Sequence, residues 1–447
     1  MRLGLAYNVG RAGDATAFLA LCMSIGVKVM AEYIAPRGTR DVLPTETPKW
    51  QSLESTFRET CGLYGFGEIR TPTFEHTELF TRNLGETTDV VSKEMYTFET
   101  RGGKSLTLRP EGTAPTIRAY VQHNLGASVP VAKLYYIARA FRYERPQAGR
   151  YREHTQLGVE AIGSIDPALD AEVISLAARF FTSVGVAKFE LKVNSIGCPN
   201  CRPNYRKALV DYAASQKDKL CPTCLVRYEQ NPLRMLDCKE PGCKAVLANA
   251  PRMVDYLCEE CSEHFAKVRA YLTDMGIEYV LDPTLVRGFD YYTKTAFEFV
   301  SGELGAQNAI GGGGRYDNLV EEIGGTSTPA IGFGLGLDRL VLTLEALGVE
   351  PVDNKPKTVF VAGLGEAGHG GTVKIVSDLR GKGIAAEMDY TGRSLKAQMK
   401  IANKLGARFV VILGEDELAN GVASVRDMTT SDQETVPIAE LAERVTA

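Results

Sequence analysis

Two apolar stretches, joined by a polar loop, carry side chains that could bind and activate a charged substrate. These side chains are Arg142, Glu144, Arg150, Gln156 and Glu160. Residues 133–141 and 156–164 are apolar and aromatic, which predicts two strands of an antiparallel pair. Alternate residues of a strand point to the same face, so Arg142 and Glu144 share one face of the first strand, and Gln156, Gly158 and Glu160 share one face of the second. If both faces look the same way, they form one polar sheet surface. This polar surface indicates a ligand site, and the alternative is a solvated face with surface ion pairs.

The sequence from Arg142 to Glu160 resembles motif 2 of class II aminoacyl-tRNA synthetases, and in particular the motif 2 of histidyl-tRNA synthetases. Four other segments agree with that family in the same order along the chain: 37–44, 106–115, 285–297 and 330–340, the last resembling motif 3. Residues 50–63 and 64–71, before Pro72, resemble motif 1, which in the family builds a homodimer interface. The resemblance runs from Pro36 to the C-terminus.

The resemblance implies an α+β fold, in which helices cover a class II antiparallel sheet. The expected organisation is an unstructured extension over 1–30, a catalytic domain over 31–350, a linker over 351–357 and an α/β anticodon-binding-like domain over 358–447. A helical, cysteine-rich insertion over about 198–280 splits the catalytic domain. The extension is interpreted as an upstream start before a natural beginning at Met30, and a weak signal-peptide pattern is the alternative.

Further elements follow from the hydrophobic pattern. Helices are predicted over 50–63, 115–124, 170–184, 205–220, 251–257, 262–275 and 337–347. Strands are predicted over 64–71, 105–111, 289–299 and 331–334, and Gly311–Asp317 is predicted to be a glycine loop. Beyond residue 357 the pattern alternates strand, helix, strand, helix, strand, which predicts a small, largely parallel sheet.

The family resemblance also implies the activity and the residues that perform it. L-histidine and ATP with Mg2+ would form histidyl-adenylate, and histidine would then pass to tRNA(His). Arg142 and Arg287 are the expected catalytic cations at the α-phosphate, and Arg142 also contacts the histidine carboxylate. Arg150 and Arg339 would hold the γ-phosphate end, and Glu144 would contact adenine. Arginine suits these roles because its planar fork is always charged and can bond two oxygen atoms.

Histidine requires a second set of side chains. The resemblance assigns the α-ammonium group to Glu111, Thr113 and Gln156, and the imidazole to Glu160 and Tyr292. The expected histidine-binding residues also include Arg287, Tyr291 and Tyr316, and aromatic core packing is the alternative for one of the adjacent tyrosines. A site that grips both imidazole nitrogens rejects similar side chains strongly, because a wrong ligand leaves buried polar groups unpaired.

Composition limits the other possibilities. A net charge of −4 gives no global basic field for nucleic acid, so contact with tRNA must be local. Lys396, Lys400 and Lys404 lie on one predicted helix stripe in a segment without acids. The stripe alone favours a solvated helix face, but its place in a module that resembles an anticodon-binding domain makes the three lysines tRNA candidates. Arg145 and Gln147 in the motif 2 loop are candidates for the tRNA acceptor end. No apolar run is long enough to span a membrane, and a cytoplasmic location is expected.

Eight of the ten cysteines lie between residues 198 and 261 and have zinc-ligand spacing. They form the pairs Cys198/Cys201, Cys221/Cys224, Cys238/Cys243 and Cys258/Cys261. A single helix between the first two pairs would hold them about 25 Å apart, too far to share one ion. The two later pairs are therefore predicted to be partners in a structural zinc site, and reduced thiols without metal are the alternative.

Two other functions remain open on sequence alone. A catalytically inert synthetase paralogue, acting as a regulatory subunit in histidine biosynthesis, would keep the fold but lose active-site arginines and the anticodon module. Another class II synthetase would keep motifs 2 and 3 but not the segment 285–297. Glu111, Arg142, Arg287 and Arg339 are all present here, which favours the histidine enzyme.

Overall fold

The computed structural model describes residues 33–83, 85, 88, 90–145, 149–302, 308–349 and 358–446. The predicted extension 1–30, the predicted linker 351–357 and Gln147 lie outside the described residues. The chain divides into two compact units, Met1–Val352 and Asp353–Ala447. Within the described part of the chain, no helix is both long enough and apolar enough to cross a bilayer.

The first unit is built on an eight-stranded sheet. Its strands, in chain order, are β1 (Gly67–Glu68), β5 (Ala132–Phe141), β6 (Glu153–Ile162), β7 (Glu190–Ser195), β8 (Val280–Leu281), β9 (Thr293–Val300), β10 (Ala309–Arg315) and β11 (Ala330–Gly336). Their order across the sheet is β1-β5-β6-β11-β10-β9-β7-β8. Only the edge pairs β1–β5 and β7–β8 are parallel. A smaller sheet has the order β2-β4-β3, from β2 (Phe74–His76), β3 (Tyr96–Glu99) and β4 (Ser105–Leu108). The predicted antiparallel α+β fold is confirmed.

The helices of the unit lie on both faces of the large sheet. They are α1 (Thr47–Leu63), α2 (Thr77–Asn83), α3 (Thr113–Gln122), α4 (Pro167–Ser183), α8 (Glu259–Asp274), α9 (Leu319–Glu322) and α10 (Leu337–Ala346). Leu157 and Val159 of β6 are buried in one core with Phe57 of α1, Phe180 of α4 and Val268 of α8. The intervening residues of β6 face the other way, as the period-2 alternation predicts.

The predicted glycine loop is wrong, because Gly311–Gly314 form the middle of β10. Gly312 pairs with Glu298 on one side and with Gly334 on the other. A Cβ added at Gly313 would collide with the carbonyl oxygen of Gly332 on β11. Glycine usually weakens a strand, but it is required where another backbone approaches closely. The run of glycines therefore marks a tight strand contact.

Other predicted boundaries shift for local reasons. The strand predicted over 289–299 begins at Thr293, because residues 283–292 run as loop and turn between the strands. The strand predicted over 64–71 is reduced to Gly67–Glu68. The predicted strand 105–111 ends at Leu108, and the remaining helices and strands of this unit agree to within a few residues.

The insertion between β7 and α8 is helical. Its α-helices are α5 (Arg202–Ala214), α6 (Pro222–Gln230) and α7 (Pro241–Leu247), with short 3-10 turns at Lys217–Lys219, Pro232–Asp237 and Met253–Tyr256. The single helix predicted over 205–220 is wrong, because α5 ends at Ala214, and the helix predicted over 251–257 is only a 3-10 turn. The core of the insertion consists largely of its cysteines, with Tyr205, Leu209 and Met235.

The second unit contains a five-stranded sheet of order β13-β12-β14-β15-β16. Its elements are β12 (Val359–Gly363), α11 (Gly365–Gly381), β13 (Ala386–Met388), α12 (Leu395–Lys404), β14 (Phe409–Leu413), α13 (Glu415–Ala419), β15 (Val422–Asp427), β16 (Gln433–Pro437) and α14 (Leu441–Thr446). The first three strands of that order are parallel and the last two are antiparallel. The predicted alternation of strand and helix up to residue 413 is confirmed.

Candidate active site

The carboxylate of Glu160 lies at the centre of a buried group of polar and aromatic side chains, the Glu160 pocket, on the face of the large sheet opposite to the core that contains Phe57. Its side chain is 1% exposed. It accepts a hydrogen bond from the Tyr136 hydroxyl at 3.3 Å and another from the Tyr316 hydroxyl. Burial raises the pKa of Glu160 to about 8, although the Tyr316 hydroxyl opposes that shift. The group is therefore largely protonated at neutral pH.

Glycines on neighbouring strands make room for the polar side chains of this face. A Cβ at Gly332 would collide with the Glu160 carboxylate, one at Gly334 would lie 2.6 Å from Nε2 of Gln156, and one at Gly312 would lie 2.8 Å from Nη1 of Arg287. The side chains of Gln156, Glu160 and Arg287 therefore lie directly over the glycine backbone of β10 and β11.

Glu111 lies beside this pocket at the start of α3. Its buried carboxylate accepts the backbone N–H of Thr113 at 2.5 Å and that of Ala114 at 2.9 Å. Burial raises the pKa of Glu111, and these two amides oppose the shift. The Thr113 hydroxyl also interacts with Glu160. Glu111, Thr113 and Glu160 therefore lie together, and their role in binding histidine stays a prediction.

Three tyrosines form the aromatic wall of the pocket. Ring centroids lie 4.5 Å apart for Tyr291 and Tyr292, 5.5 Å apart for Tyr291 and Tyr316, and 6.3 Å apart for Tyr292 and Tyr316. Burial raises the pKa of all three hydroxyls, so they remain donors at neutral pH. Both adjacent tyrosines are buried in the same cluster, so neither is separated from the pocket.

Two arginines lie near the pocket. Arg287 donates from Nη1 to Glu298 at 3.0 Å, and its buried Nε has no hydrogen-bond partner among the described residues. Arg142 donates from Nε to the carbonyl of Pro110 at 2.8 Å, and its guanidinium carbon lies 5.6 Å from the Phe289 ring centroid. Each guanidinium therefore keeps N–H groups that a ligand could use.

Charged side chains also lie together where the motif 2 loop meets α10. Arg150 lies 3.4 Å from the Glu144 carboxylate, and the backbone at Gly149 packs against Arg339. The pKa of Arg339 is lowered by burial first and by Arg150 second. The pKa of His154 is lowered to about 3, first by burial and then by Arg142. The second cause in both cases is a neighbouring arginine, so the surroundings of Arg339 and His154 are positively charged and suited to an anion.

Comparison with known proteins identifies the family. The histidyl-tRNA synthetase model matches residues 38–340, and an anticodon-binding-domain model matches residues 358–447. The chain belongs to the histidyl-tRNA synthetase family. It is 54% identical over 407 residues to a histidine–tRNA ligase of Desulforamulus reducens, covering 91% of this chain and 97% of that protein. A histidine–tRNA ligase of Moorella thermoacetica is 54% identical over 404 residues, covering 90% and 96%.

A solved structure of the same family supports the fold. The apo histidyl-tRNA synthetase of S. aureus aligns with a TM-score of 0.79 at 39% sequence identity. The alignment covers 93% of this chain and 100% of that one. The predicted family and the class II synthetase fold are therefore confirmed.

The tRNA candidates of the histidyl-tRNA synthetase chain lie on exposed surfaces. Arg145 is exposed on the motif 2 loop, and Lys396, Lys400 and Lys404 are exposed along α12 of the second unit. The other face of that helix packs through Ala402 against the second unit's sheet. The lysine stripe predicted from the sequence is thus present, and its role stays a prediction.

Two polar residues of the site were not found from the sequence. Tyr136 bonds to Glu160, and its position directly opposite Gly158 on the paired strand is a signal only once the strand register is known. Glu298 bonds to Arg287 from the middle of β9. An acid between two buried phenylalanines, Phe297 and Phe299, was the signal that could have identified Glu298.

The cysteine pairs come together in a different combination from the predicted one. The sulfur atoms of Cys198, Cys201, Cys258 and Cys261 form one group, and those of Cys221, Cys224, Cys238 and Cys243 form another. The predicted separation of the first two pairs is confirmed, but the predicted partnership of the two later pairs is wrong. The insertion folds back on itself, so its first and last pairs meet beside the sheet and its middle pairs meet within the insertion.

Proposed function

We propose that this chain is an active histidine–tRNA ligase that uses ATP and forms AMP. It would join L-histidine to ATP as histidyl-adenylate and pyrophosphate, and then transfer histidine to tRNA(His) with release of AMP. The observation that carries the proposal is the buried Glu160, surrounded by tyrosine hydroxyls, on the same sheet face as Arg287 and Gln156. This combination offers partners for an imidazole, an ammonium group and a phosphate at once.

Histidine would be selected by its two ring nitrogens and its ammonium group. Glu160 would pair with one imidazole nitrogen and Tyr292 with the other, while Tyr291 and Tyr316 enclose the ring. The ammonium group would bind Glu111, Thr113 and Gln156. The buried Oε1 of Gln156 has no hydrogen-bond partner among the described residues, which supports its use as an acceptor for the ligand.

ATP would bind across the arginines. Arg142 and Arg287 would hold the α-phosphate between them, Arg150 and Arg339 would bind the γ-phosphate end, and Glu144 would accept from the adenine amino group. The buried Nε–H of Arg339, like that of Arg287, lacks a partner among the described residues. A phosphate oxygen could satisfy each of these donors.

Mg2+ would enter with ATP and neutralise phosphate charge. The carboxylate of Glu298 fits a magnesium ion, because it is partly exposed and offers oxygen ligands. It lies 3.0 Å from Arg287 and also interacts electrostatically with Arg339. Magnesium prefers such oxygen ligands and also retains water and phosphate oxygens. We therefore include Glu298 with the ATP-binding residues.

The first reaction is an in-line displacement. A histidine carboxylate oxygen bonds to the α-phosphorus while the bond to pyrophosphate breaks and its electrons leave with pyrophosphate. The protein contributes positions and fixed positive charge, which stabilise the charge that develops on phosphate oxygens. In the second step a ribose hydroxyl at the 3′ end of tRNA attacks the histidyl carbonyl, and AMP leaves.

The tRNA would contact both units. Arg145 and Gln147 on the motif 2 loop are candidates for the acceptor end, and Lys396, Lys400 and Lys404 are candidates for phosphate contacts elsewhere in the tRNA. Lysine–phosphate contacts release counterions, so this part of the affinity should depend on salt.

We also infer a homodimer in the cytoplasm, with no membrane attachment. Phe74 and Phe98 of the small sheet are exposed to 50% and 45%, and their ring centroids lie 6.3 Å apart. This sheet follows the motif 1 segment, and exposed aromatic side chains of this kind are common where a partner packs.

A pyrophosphate-exchange assay tests the proposal. Exchange of labelled pyrophosphate into ATP should require histidine and should not occur with the other nineteen amino acids. Exchange with threonine or proline would indicate another class II specificity. Absence of exchange with every amino acid would refute the proposal and favour the inert regulatory paralogue.

A further inference from the structure

The eight cysteines of the insertion form two compact groups outside the active site. We define the outer cluster as Cys198, Cys201, Cys258 and Cys261, and the inner cluster as Cys221, Cys224, Cys238 and Cys243. The four sulfur atoms of each cluster all lie within 4.8 Å of one another. We propose that the insertion binds two zinc ions, one in each cluster, each held by four cysteine thiolates.

The sulfur spacing matches a tetrahedron around one ion. Four Zn–S bonds of about 2.3 Å place neighbouring sulfurs about 3.8 Å apart. The distance between Sγ atoms is 3.5 Å for Cys198 and Cys201, 3.9 Å for Cys198 and Cys258, and 3.8 Å for Cys221 and Cys238. A disulfide would require about 2.05 Å. A larger iron–sulfur cluster would need wider spacing, because each ligand sulfur binds a different iron atom.

Hydrogen bonds to the sulfur atoms support the thiolate state. The backbone N–H of Cys258 donates to the Cys201 sulfur at 3.1 Å, and that of Cys221 donates to the Cys243 sulfur at 3.1 Å. In the inner cluster the N–H of Cys224 also donates to the Cys221 sulfur, at 3.4 Å. Such donors stabilise negative charge on metal-binding sulfur and orient the ligand.

Nearby cations would offset part of the charge of a zinc tetrathiolate, which carries about two negative charges. Arg202 follows Cys201 directly and interacts electrostatically with Cys198 and Cys201. Lys294 interacts in the same way with Cys261. Cys61 provides the contrast, because it is a free cysteine buried among apolar side chains and belongs to neither metal-binding group.

The clusters also hold residues 285–297, the histidine segment, which contains Arg287 and Tyr292. This point rests on the proposed function. Arg202 donates to the carbonyl of Tyr292. Arg234, four residues before Cys238, donates to the carbonyl of Arg287 at 3.0 Å. Asn231 donates to the Asp290 carboxylate at 2.9 Å. Each cluster therefore fixes an arginine that holds the backbone of a proposed substrate-binding residue.

Metal analysis of the full-length protein tests the two sites directly. Protein produced in zinc-supplemented medium and purified without chelators or metal-affinity resin should contain two zinc ions per chain by elemental mass spectrometry. Replacing zinc with Co2+ should produce intense thiolate-to-cobalt charge-transfer absorption. Less than half an equivalent of zinc in the parent protein, or iron in its place, would overturn the proposal.

Single substitutions assign one ion to each cluster. Cys261→Ser and Cys243→Ser should each retain one zinc, and the double variant should retain none. Cys61→Ala is the matched control, because it removes a buried cysteine outside both clusters, and it should retain two. A single variant that keeps two ions refutes the site in that cluster, and a variant that does not fold leaves the parent metal content and cobalt spectrum to decide.

A kinetic measurement tests the connection to the histidine segment. In Cys261→Ser, the histidine KM for pyrophosphate exchange should rise by about tenfold or more while the ATP KM stays within about twofold, because Arg202 holds the backbone of Tyr292, which is assigned to histidine and not to ATP. An unchanged histidine KM after loss of the outer zinc would refute the connection. No exchange in a parent protein that contains two zinc ions would refute the proposed activity and leave the metal sites intact.

Discussion

Replacing Glu160 with glutamine should weaken histidine binding while making the unliganded protein more stable at high pH. The substitution keeps the shape of the side chain but removes an ionisable group that is 1% exposed. A hydrogen bond to a charged partner contributes about 1.5–3 kcal/mol, so the histidine KM should rise by about 10- to 150-fold. The ATP KM should change little, because ATP is assigned to the arginines.

The stability effect follows from the raised pKa. The pKa of Glu160 rises from 4.5 to about 8 on folding. Between these values the unfolded chain has lost the proton while the folded chain retains it, so stability falls as pH rises from about 4.5 to about 8. At about 1.4 kcal/mol per pKa unit, this single group costs on the order of 5 kcal/mol above pH 8. Glutamine does not titrate and removes this cost.

Thermal unfolding at pH 5 and pH 8 measures the difference. The melting temperature of the catalytic unit in Glu160→Gln should exceed that of the parent by clearly more at pH 8 than at pH 5. Glu190→Gln is the matched control, because its side chain is 52% exposed, and it should reproduce the parent at both pH values. Identical pH dependence in Glu160→Gln and the parent, or equal increases in both KM values, would refute the assignment.

Three further variants test other parts of the site. Arg287→Ala should leave a folded protein but reduce adenylate formation by about 100-fold or more, measured by pyrophosphate exchange, because one fixed charge is lost from the transition state. Gly334→Ala should leave stability nearly unchanged and raise the histidine KM, because its Cβ would displace only the flexible end of Gln156. Lys396→Gln with Lys400→Gln should weaken tRNA binding and flatten its dependence on salt concentration, measured by filter binding.

Each of these substitutions has a control or a contradicting result. An exchange rate for Arg287→Ala within threefold of the parent would remove Arg287 from the catalytic group. Gly336→Ala is the control for Gly334, because its Cβ would make only ordinary contact, 3.9 Å from Arg339. Lys374→Gln with Lys382→Gln removes two exposed lysines elsewhere in the second unit, and an equal loss of tRNA affinity there would contradict the assignment to α12.

The site residues nearest to a regular pattern were predictable from the sequence. Alternation along β6 placed Gln156 and Glu160 on one face, and the glycine-rich strand before α10 indicated that Arg339 lies in the first turn of that helix. Tyr136 was not predictable, because its contact with Glu160 depends on the register between two strands. Register is a property of the paired strands and is not visible in either one alone.

The cysteine partners and the glycine strand were mispredicted for a related reason. Spacing along the chain identifies each cysteine pair as a candidate ligand set, but the path of the insertion decides which pairs meet. A run of glycines predicts a loop because glycine loses more backbone entropy than other residues when it is fixed in a strand. That argument leaves out the space available for a side chain. Glycine is required at position 313 because the backbone of the neighbouring strand comes too close for any side chain.

The outer cluster has a consequence for how this protein could be rebuilt. The sulfur atoms of Cys198 and Cys258 lie 3.9 Å apart, so the chain leaves the catalytic sheet and returns to it at nearly the same place. Insertions are tolerated best where their two ends lie together, because the host fold need not change to accommodate them. The stretch between residues 201 and 258 is therefore an exchangeable cassette, and chimeras with shorter or longer segments joined at these positions should leave the register of the large sheet unaltered.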